Sequence, residues 1–260
     1  MSDLPERKKR PPKTIVVVPC FNEAHRLQVQ TFQAFCEAYS TVRFVFVNDG
    51  STDATLDLLR ALQEKDPFRF LLVDQQPNQG KAAAVRSGML EAFREKPHYA
   101  GYWDADLATP LDEIPRFVEL LEERAECEVV FGSRVKLLGR SIRRNPVRHY
   151  LGRVFATVVS ASLKLPIYDT QCGAKMFRVS PEIERLFGEP FCAGWIFDVE
   201  IIARLIQARR GTDLAQPDRA IYEYPLNQWH DIVGSKVRAS DFLRAIFEIG
   251  LIYRRYLTQD

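Results

Sequence analysis

Four short apolar runs, each halted by a polar cluster, constrain this chain more than any other feature. "TIVVVP", "VRFVFVN", "RFLLVD" and "YAGYWD" are β-branched or aromatic stretches of strand length. Helical spacing lies between them: Leu27, Phe32, Phe35 and Tyr39, then Leu56, Leu59 and Leu62, then "GKAAAVRSGMLEAF". A further helix, "LDEIPRFVELLEE", leads into a fifth run, "CEVVFGS". This alternation predicts βαβ units, hence an α/β fold with a mostly parallel sheet and right-handed crossovers. Ligands of such sheets bind beyond the carboxyl ends of the strands. The polar clusters fall there: Asn22 and Glu23, then Asp49, then Asn78, Gly80 and Lys81, then Asp104 and Asp106.

The last cluster, "DADLATP", places two acids one residue apart. On a strand such residues face the same side, and converging carboxylates are costly without a cation between them. Either the acids sit in water on a turn, or they hold a metal; an oxygen-only pair suits Mg²⁺ or Mn²⁺. Asp49 is placed to accept hydrogen bonds from a nucleobase or ribose, or else forms a turn and helix cap with Asp53. Lys81 either meets phosphates at a helix N-terminus or is a solvated helix start.

After Ser133 the pattern changes. Between Arg134 and Arg153 stand seven basic residues and no acid. An apolar helix from Val147 towards Leu163 follows, then "DTQCGAKMFR", a helix through "FDVEIIARLIQARR", a strand near "RAIYEYP" and a loop, "LNQWHDIVGSK". The last helix, "DFLRAIFEIGLIYRRYL", carries a broad apolar face.

Several classes are disfavoured. There is no G-x-G-x-x-G, no P-loop and no serine nucleophile elbow. A formal charge of +2 predicts no nucleic-acid partner. Five cysteines without C-x-x-C spacing fit a reducing compartment rather than a disulfide framework or structural zinc. No apolar run reaches the roughly 18 residues of a membrane span. Residues 1–13 read as a disordered basic tail rather than a secretory signal. With 260 residues, 46% hydrophobic, one large domain is expected.

"VVVPCFNEAHRL", "VNDGSTDAT", "NQGKAAAVRSGM", "DADLATPLDEI" and "VVFGSR" resemble, in order, the motifs of inverting family-2 glycosyltransferases of the GT-A fold. "YDTQCGAKMF", "WIFDVEII" and "WHDIVGSK" are similar to those of dolichyl-phosphate β-glucosyltransferases. The resemblance implies a nucleotide-sugar-binding half over 14–133, an acceptor-binding half of the same domain over 134–240, and an amphipathic C-terminal helix over 241–260. It implies a UDP-glucose donor, a polyprenyl phosphate acceptor and a Mg²⁺ or Mn²⁺ cofactor. By position, Pro19, Asn22, Glu23, Asp49 and Asp53 would line the nucleoside pocket, with Ala105 beside it. Lys81 would sit near the uracil or phosphates, and Asp104 and Asp106 would bind the metal-diphosphate.

Arg134, with Arg143 or Arg144, and Lys236 would hold the acceptor phosphate, Arg134 in a two-toothed pair. Asp198 joins Asp104, Asp106 and Arg134 in the expected catalytic set. Asp169, Gln171 and Asp198 would contact sugar hydroxyls, orient an arginine, or serve as buried partners of one. Trp229 and Lys236 would close a loop over the site. The acceptor phosphate is already an anion, so inversion needs positioning more than a general base.

Alternatives keep the fold and change the chemistry: a GDP-mannose-dependent polyprenyl-phosphate mannosyltransferase, a transferase acting on another lipid or a polysaccharide, or a non-catalytic nucleotide-sugar module. Ala108 stands where the mannosyltransferases usually carry glutamine, and Asp231 where they carry arginine. The eukaryotic glucosyltransferases carry an N-terminal membrane helix that has no counterpart in this sequence. Membrane contact is then expected through the helices from Val147 and Asp241, with Arg254 and Arg255 at headgroup level. The protein is expected at the cytoplasmic face of a membrane, with homo-oligomerisation left open.

Overall fold

The computed structural model describes residues 14–143, 146–230 and 239–258. The expectations for the 1–13 tail, Arg144, Lys236 and the Arg143 side chain fall outside the described residues. The first half alternates as the sequence predicts: β1 (Thr14–Cys20), α1 (Val29–Ala38), β2 (Val42–Asp49), α2 (Thr55–Lys65), β3 (Phe70–Gln75), α3 (Lys81–Arg94), β4 (Tyr99–Trp103), α4 (Glu113–Glu123) and β5 (Val129–Ser133). Then come β6 (Ser141–Arg143), α5 (Pro146–Leu163), β7 (Ala174–Arg178), α6 (Pro181–Gly188), α7 (Phe197–Arg209), α8 (Pro217–Ala220), β8 (Ile221–Pro225), β9 (Gln228–His230) and α9 (Ala239–Ile252). A π-helical turn, Tyr253–Leu257, ends the chain's described part.

Seven strands form one sheet in the order β3-β2-β1-β4-β7-β5-β8. All neighbours run parallel except β7, which is antiparallel to both β4 and β5. The segment "AKMFR", part of a motif in the sequence, is the strand that joins the two halves into a single sheet. The continuous apolar runs of β1 and β2 follow from burial on both faces. Alternate residues divide between two cores. Ile15, Val17, Val45 and Val47 meet α3, while Val16, Val18, Phe44 and Phe46 meet α1 and α2. A Cβ at Gly88 of α3 would stand 2.3 Å from Val17 Cγ1, so only glycine lets this helix lie so close to the sheet.

The β6–β9 pair is a separate two-stranded parallel sheet. It sets Ile142 opposite Trp229 and brings that indole back towards the carboxyl ends of the main strands.

Candidate active site

A cavity of about 620 Å³ opens at the carboxyl-end rim of the sheet, within the usual range for a small-molecule site. Pro19, Glu23, Asp49, Lys81, Asp104, Ala105 and Asp106 line it from the first half. Arg134, Asp169, Gln171, Asp198 and Trp229 line it from the second. Residues far apart in sequence thus converge because β4, β7 and β5 are neighbours.

At the first end, β4 stops at Trp103 and the chain turns. Asp104 N donates to Gly173 O at 3.0 Å, and Leu107 N to Asp104 O at 3.2 Å. Ala108 N donates to Asp106 Oδ1 at 3.1 Å, an Asx-type turn. The acids therefore sit on a turn, and that turn faces the cavity. Lys81 Nζ meets Asp104 Oδ1 at 2.5 Å. Desolvation pulls the Lys81 ammonium down, but Asp104, Asp198 and Asp106 outweigh it and the net shift is upward. Burial and the neighbouring Asp104 charge push the Asp106 carboxyl above its ordinary range. Gly173 leaves the room that Asp104 needs, since a Cβ there would stand 1.8 Å from Asp104 Oδ2.

Three residues expected in the nucleoside pocket have other work. Asp49 lines the cavity, but its Oδ1 accepts from Gln75 Nε2 and Gln79 N, and its Oδ2 from Asn78 Nδ2 and Gly80 N. Those four bonds use the acceptor sites of one carboxylate, so Asp49 organises the loop before Lys81, the turn role that spacing also allowed. Asn22 and Asp53 are not in the lining. Asn22 Oδ1 accepts from Thr52 N at 2.8 Å, and Asp53 accepts from Thr55 N, Thr55 Oγ1 and Ala24 N. They tie the β1–α1 loop to the β2–α2 loop, for Asp53 the turn role that spacing also allowed.

At the second end, Arg134 does form a two-toothed pair, but with Asp169. Its Nε and Nη2 lie 2.6 and 2.7 Å from the two carboxylate oxygens, and its backbone N adds a third bond at 3.0 Å. Burial opposes the guanidinium's charge, yet Asp169 drives its pKa further up. Two of its five N–H groups bond Asp169, which takes the arginine-orienting role that the sequence allowed for it. Glu223 of β8 holds the arrangement by accepting from Tyr168 N and Asp169 N at 2.7 and 2.8 Å. The Trp229 ring centroid is 5.3 Å from the Arg134 guanidinium carbon. Gln171 Nε2 donates to Trp195 O at 3.4 Å.

Asp198 has a partner, though not an arginine. Lys175 Nζ and Tyr102 OH both reach Asp198 Oδ1, at 2.6 and 2.5 Å, and Lys175 is wholly buried. Sequence reading missed Lys175, hidden as a lone cation inside the apolar strand "AKMF". It also missed Arg153, which was seen only as one of a basic run. Arg153 lines the cavity with its guanidinium 3.6 Å from the Tyr168 ring centroid.

The glycosyl transferase family 2 profile matches residues 15–186. The dolichyl-phosphate beta-glucosyltransferase of Saccharomyces cerevisiae is 31% identical over 264 residues, covering 93% of this chain and 74% of that protein. Among solved structures, a mannosyltransferase from Pyrobaculum calidifontis with GDP-mannose and Mn²⁺ has a TM-score of 0.63 at 20% identity, over 96% of this chain and 66% of that one. A glucosyl-3-phosphoglycerate synthase from Mycobacterium tuberculosis with Mn²⁺, UDP-glucose and phosphoglyceric acid reaches 0.65 at 16% identity, over 96% and 81%. On its fold, its cavity and these matches, the chain belongs to glycosyl transferase family 2.

Proposed function

We propose that this glycosyltransferase moves glucose from UDP-glucose to a polyprenyl phosphate, inverting the anomeric centre to give a β-linked lipid-phosphate sugar. The observation that carries the reading is one cavity with two unlike ends. Paired carboxylates with Lys81 form one, and Arg134 with Arg153 forms the other. The first suits a metal-bound diphosphate and the second an incoming phosphate. Similarity to the yeast dolichyl-phosphate beta-glucosyltransferase supports the choice of sugar and acceptor.

The residues present fit a divalent cation. Asp104 and Asp106 offer oxygen only, and burial first, then the Asp104 charge, hold the Asp106 carboxyl above its ordinary range. Among the described residues no cluster of three or more His, Cys, Asp or Glu forms a complete cage. The two carboxylates would hold the ion and leave positions for diphosphate oxygens. When bound, Mg²⁺ or Mn²⁺ supplies charge stabilisation for the departing nucleotide. The chain's own groups do the rest. Lys81 lies against Asp104 where the phosphates would pass. Asp169 fixes the Arg134 plane so that its remaining N–H groups can orient the acceptor anion in line with the sugar. Trp229 covers Arg134 and shields the reaction from water.

Attachment to a membrane surface fits the outer side of α9, where Ile246 and Phe247 are 66% and 67% exposed. Val154 and Val158 of α5 are exposed as well. Among the described residues no helix is long and apolar enough to cross a membrane. All five cysteines are free thiols, which fits a cytoplasmic face.

The test is incubation with radiolabelled UDP-glucose, Mg²⁺ and polyprenyl phosphate vesicles, followed by organic extraction. Label should enter the organic phase, and Asp106→Ala should reduce transfer by about a hundredfold or more. Label that moves only from GDP-mannose, or an Asp106→Ala enzyme as active as wild type, would overturn the reading.

A further inference from the structure

The cavity wall behind Gln171 is one turn, residues 192–196, with Gly194 and Trp195 in the lining. Five consecutive backbone amides of that turn donate to two carboxylates. Cys192 N and Ala193 N reach Glu200 at 3.1 and 2.8 Å. Gly194 N, Trp195 N and Ile196 N reach Glu248 at 3.1, 3.1 and 3.0 Å. Glu200 sits in α7, which begins where the turn ends, so its two bonds are local. Glu248 comes from α9, 52 residues beyond Ile196. Both carboxylates are buried, at 0% and 3% exposure. Bonds from amides to a desolvated anion are short and strong, and neither side has water to fall back on. Arg244 Nε adds a bond to Glu248 at 2.8 Å from the more exposed side of α9.

Packing alone does not call for this carboxylate, because α9 already buries Ala245 and Ile252. The bonds are specific to the turn, and the turn feeds the site. Trp195 O receives Gln171, and the Trp195 ring meets Phe155 of α5 edge-on at 6.0 Å. Phe155 lines the cavity too. The opposite end, with Asp104 and Lys81, is built on β4 and α3; it meets α7 through Tyr102 and Asp198, and neither Glu200 nor Glu248 is among its hydrogen-bond partners.

We propose that Glu248 is a positioning residue for the acceptor: through three amides, α9 sets the shape of the acceptor end of the cavity, while the donor end stands independently. This rests on the acceptor assignment made under Proposed function. The terminal helix therefore belongs to the active site although it lies outside the family-matched residues 15–186.

The experiment uses the full chain with Glu248→Gln and Arg244→Ala. Glutamine keeps the size of the side chain but turns an N–H₂ towards amide N–H groups. Hydrogen exchange should quicken at 194–196 and stay slow at 192–193, where Glu200 still holds. The KM for polyprenyl phosphate should rise about tenfold or more while UDP-glucose affinity stays within about twofold. Arg244→Ala should shift both readings in the same direction and less. Uniformly faster exchange, or parallel loss of donor and acceptor binding, means a merely structural role and overturns the proposal. An unchanged acceptor KM in an active, folded Glu248→Gln enzyme overturns it as well. A wild type that ignores polyprenyl phosphate overturns the functional reading instead. If Glu248→Gln does not fold, Arg244→Ala decides by the same two readings.

Discussion

Replacing Gly173 by alanine isolates the geometry of Asp104 from its charge. Gly173 follows Cys172, which is fully buried, and its carbonyl receives Asp104 N at 3.0 Å. A Cβ at this position would stand 1.8 Å from Asp104 Oδ2 and 2.1 Å from Asp104 Cγ. To reach an ordinary 3.4 Å contact, the carboxylate must retreat by about 1.6 Å. That movement breaks the 2.5 Å contact with Lys81. Misplacing a reacting group by about 1 Å costs on the order of a hundredfold in rate. At about 1.36 kcal/mol per decade, that is roughly 2.7 kcal/mol of lost transition-state stabilisation. The overlap reaches Asp104 Cγ, one bond from its Cβ, so the side chain must turn to another rotamer and the thermal midpoint should fall as well. Label transfer into an organic phase, read beside thermal unfolding and Mn²⁺ titration, separates the effects. Wild-type kcat/KM in Gly173→Ala would refute the argument that Asp104 acts from this exact pocket beside the glycine.

Three further outcomes follow from the same geometry. Asp49→Asn replaces an acceptor of four bonds with a group that brings its own donors, and should cost about 1–3 kcal/mol in denaturant unfolding and weaken UDP-glucose binding; unaltered stability would return Asp49 to base recognition. Asp198→Ala strands the wholly buried Lys175 ammonium and should cost about 3–5 kcal/mol, read by the same unfolding assay. Burial raises the Glu223 carboxyl above its ordinary 4.5, so the folded state holds the proton more tightly than the unfolded one. Stability from that protonation is full below 4.5 and is lost as pH rises through the folded value, so wild type should lose ground to Glu223→Gln across that window in thermal melts; a gap that widens in the other direction would contradict the assignment.

Much of the architecture is written locally. Runs such as "TIVVVP" and "VRFVFVN" announce buried strands because both faces need apolar residues, and a strand's period of two is visible in Val16 and Val17 facing opposite cores. The turn at "DADLATP" and the loop before Lys81 are equally local, and they place Asp104, Asp106 and Lys81 at the sheet's rim. Partnership between distant groups is not local. Nothing in the order of residues says that Asp169 takes the fork of Arg134, that four donors from 75–80 saturate Asp49, or that Lys175 is the cation facing Asp198. The Arg134 and Lys175 pairings follow from β7 running antiparallel between β4 and β5, and the Asp49 bonds from β3 lying beside β2, choices made by packing across the whole sheet. The same holds for Glu248, whose three amides are gathered only when α9 folds back against α7. Short-range pattern determines which segments become strands and helices, because backbone geometry and side-chain burial repeat every few residues. Which carboxylate meets which cation is decided by tertiary structure alone, because desolvation makes every buried charge take the partner that the closed chain sets within reach.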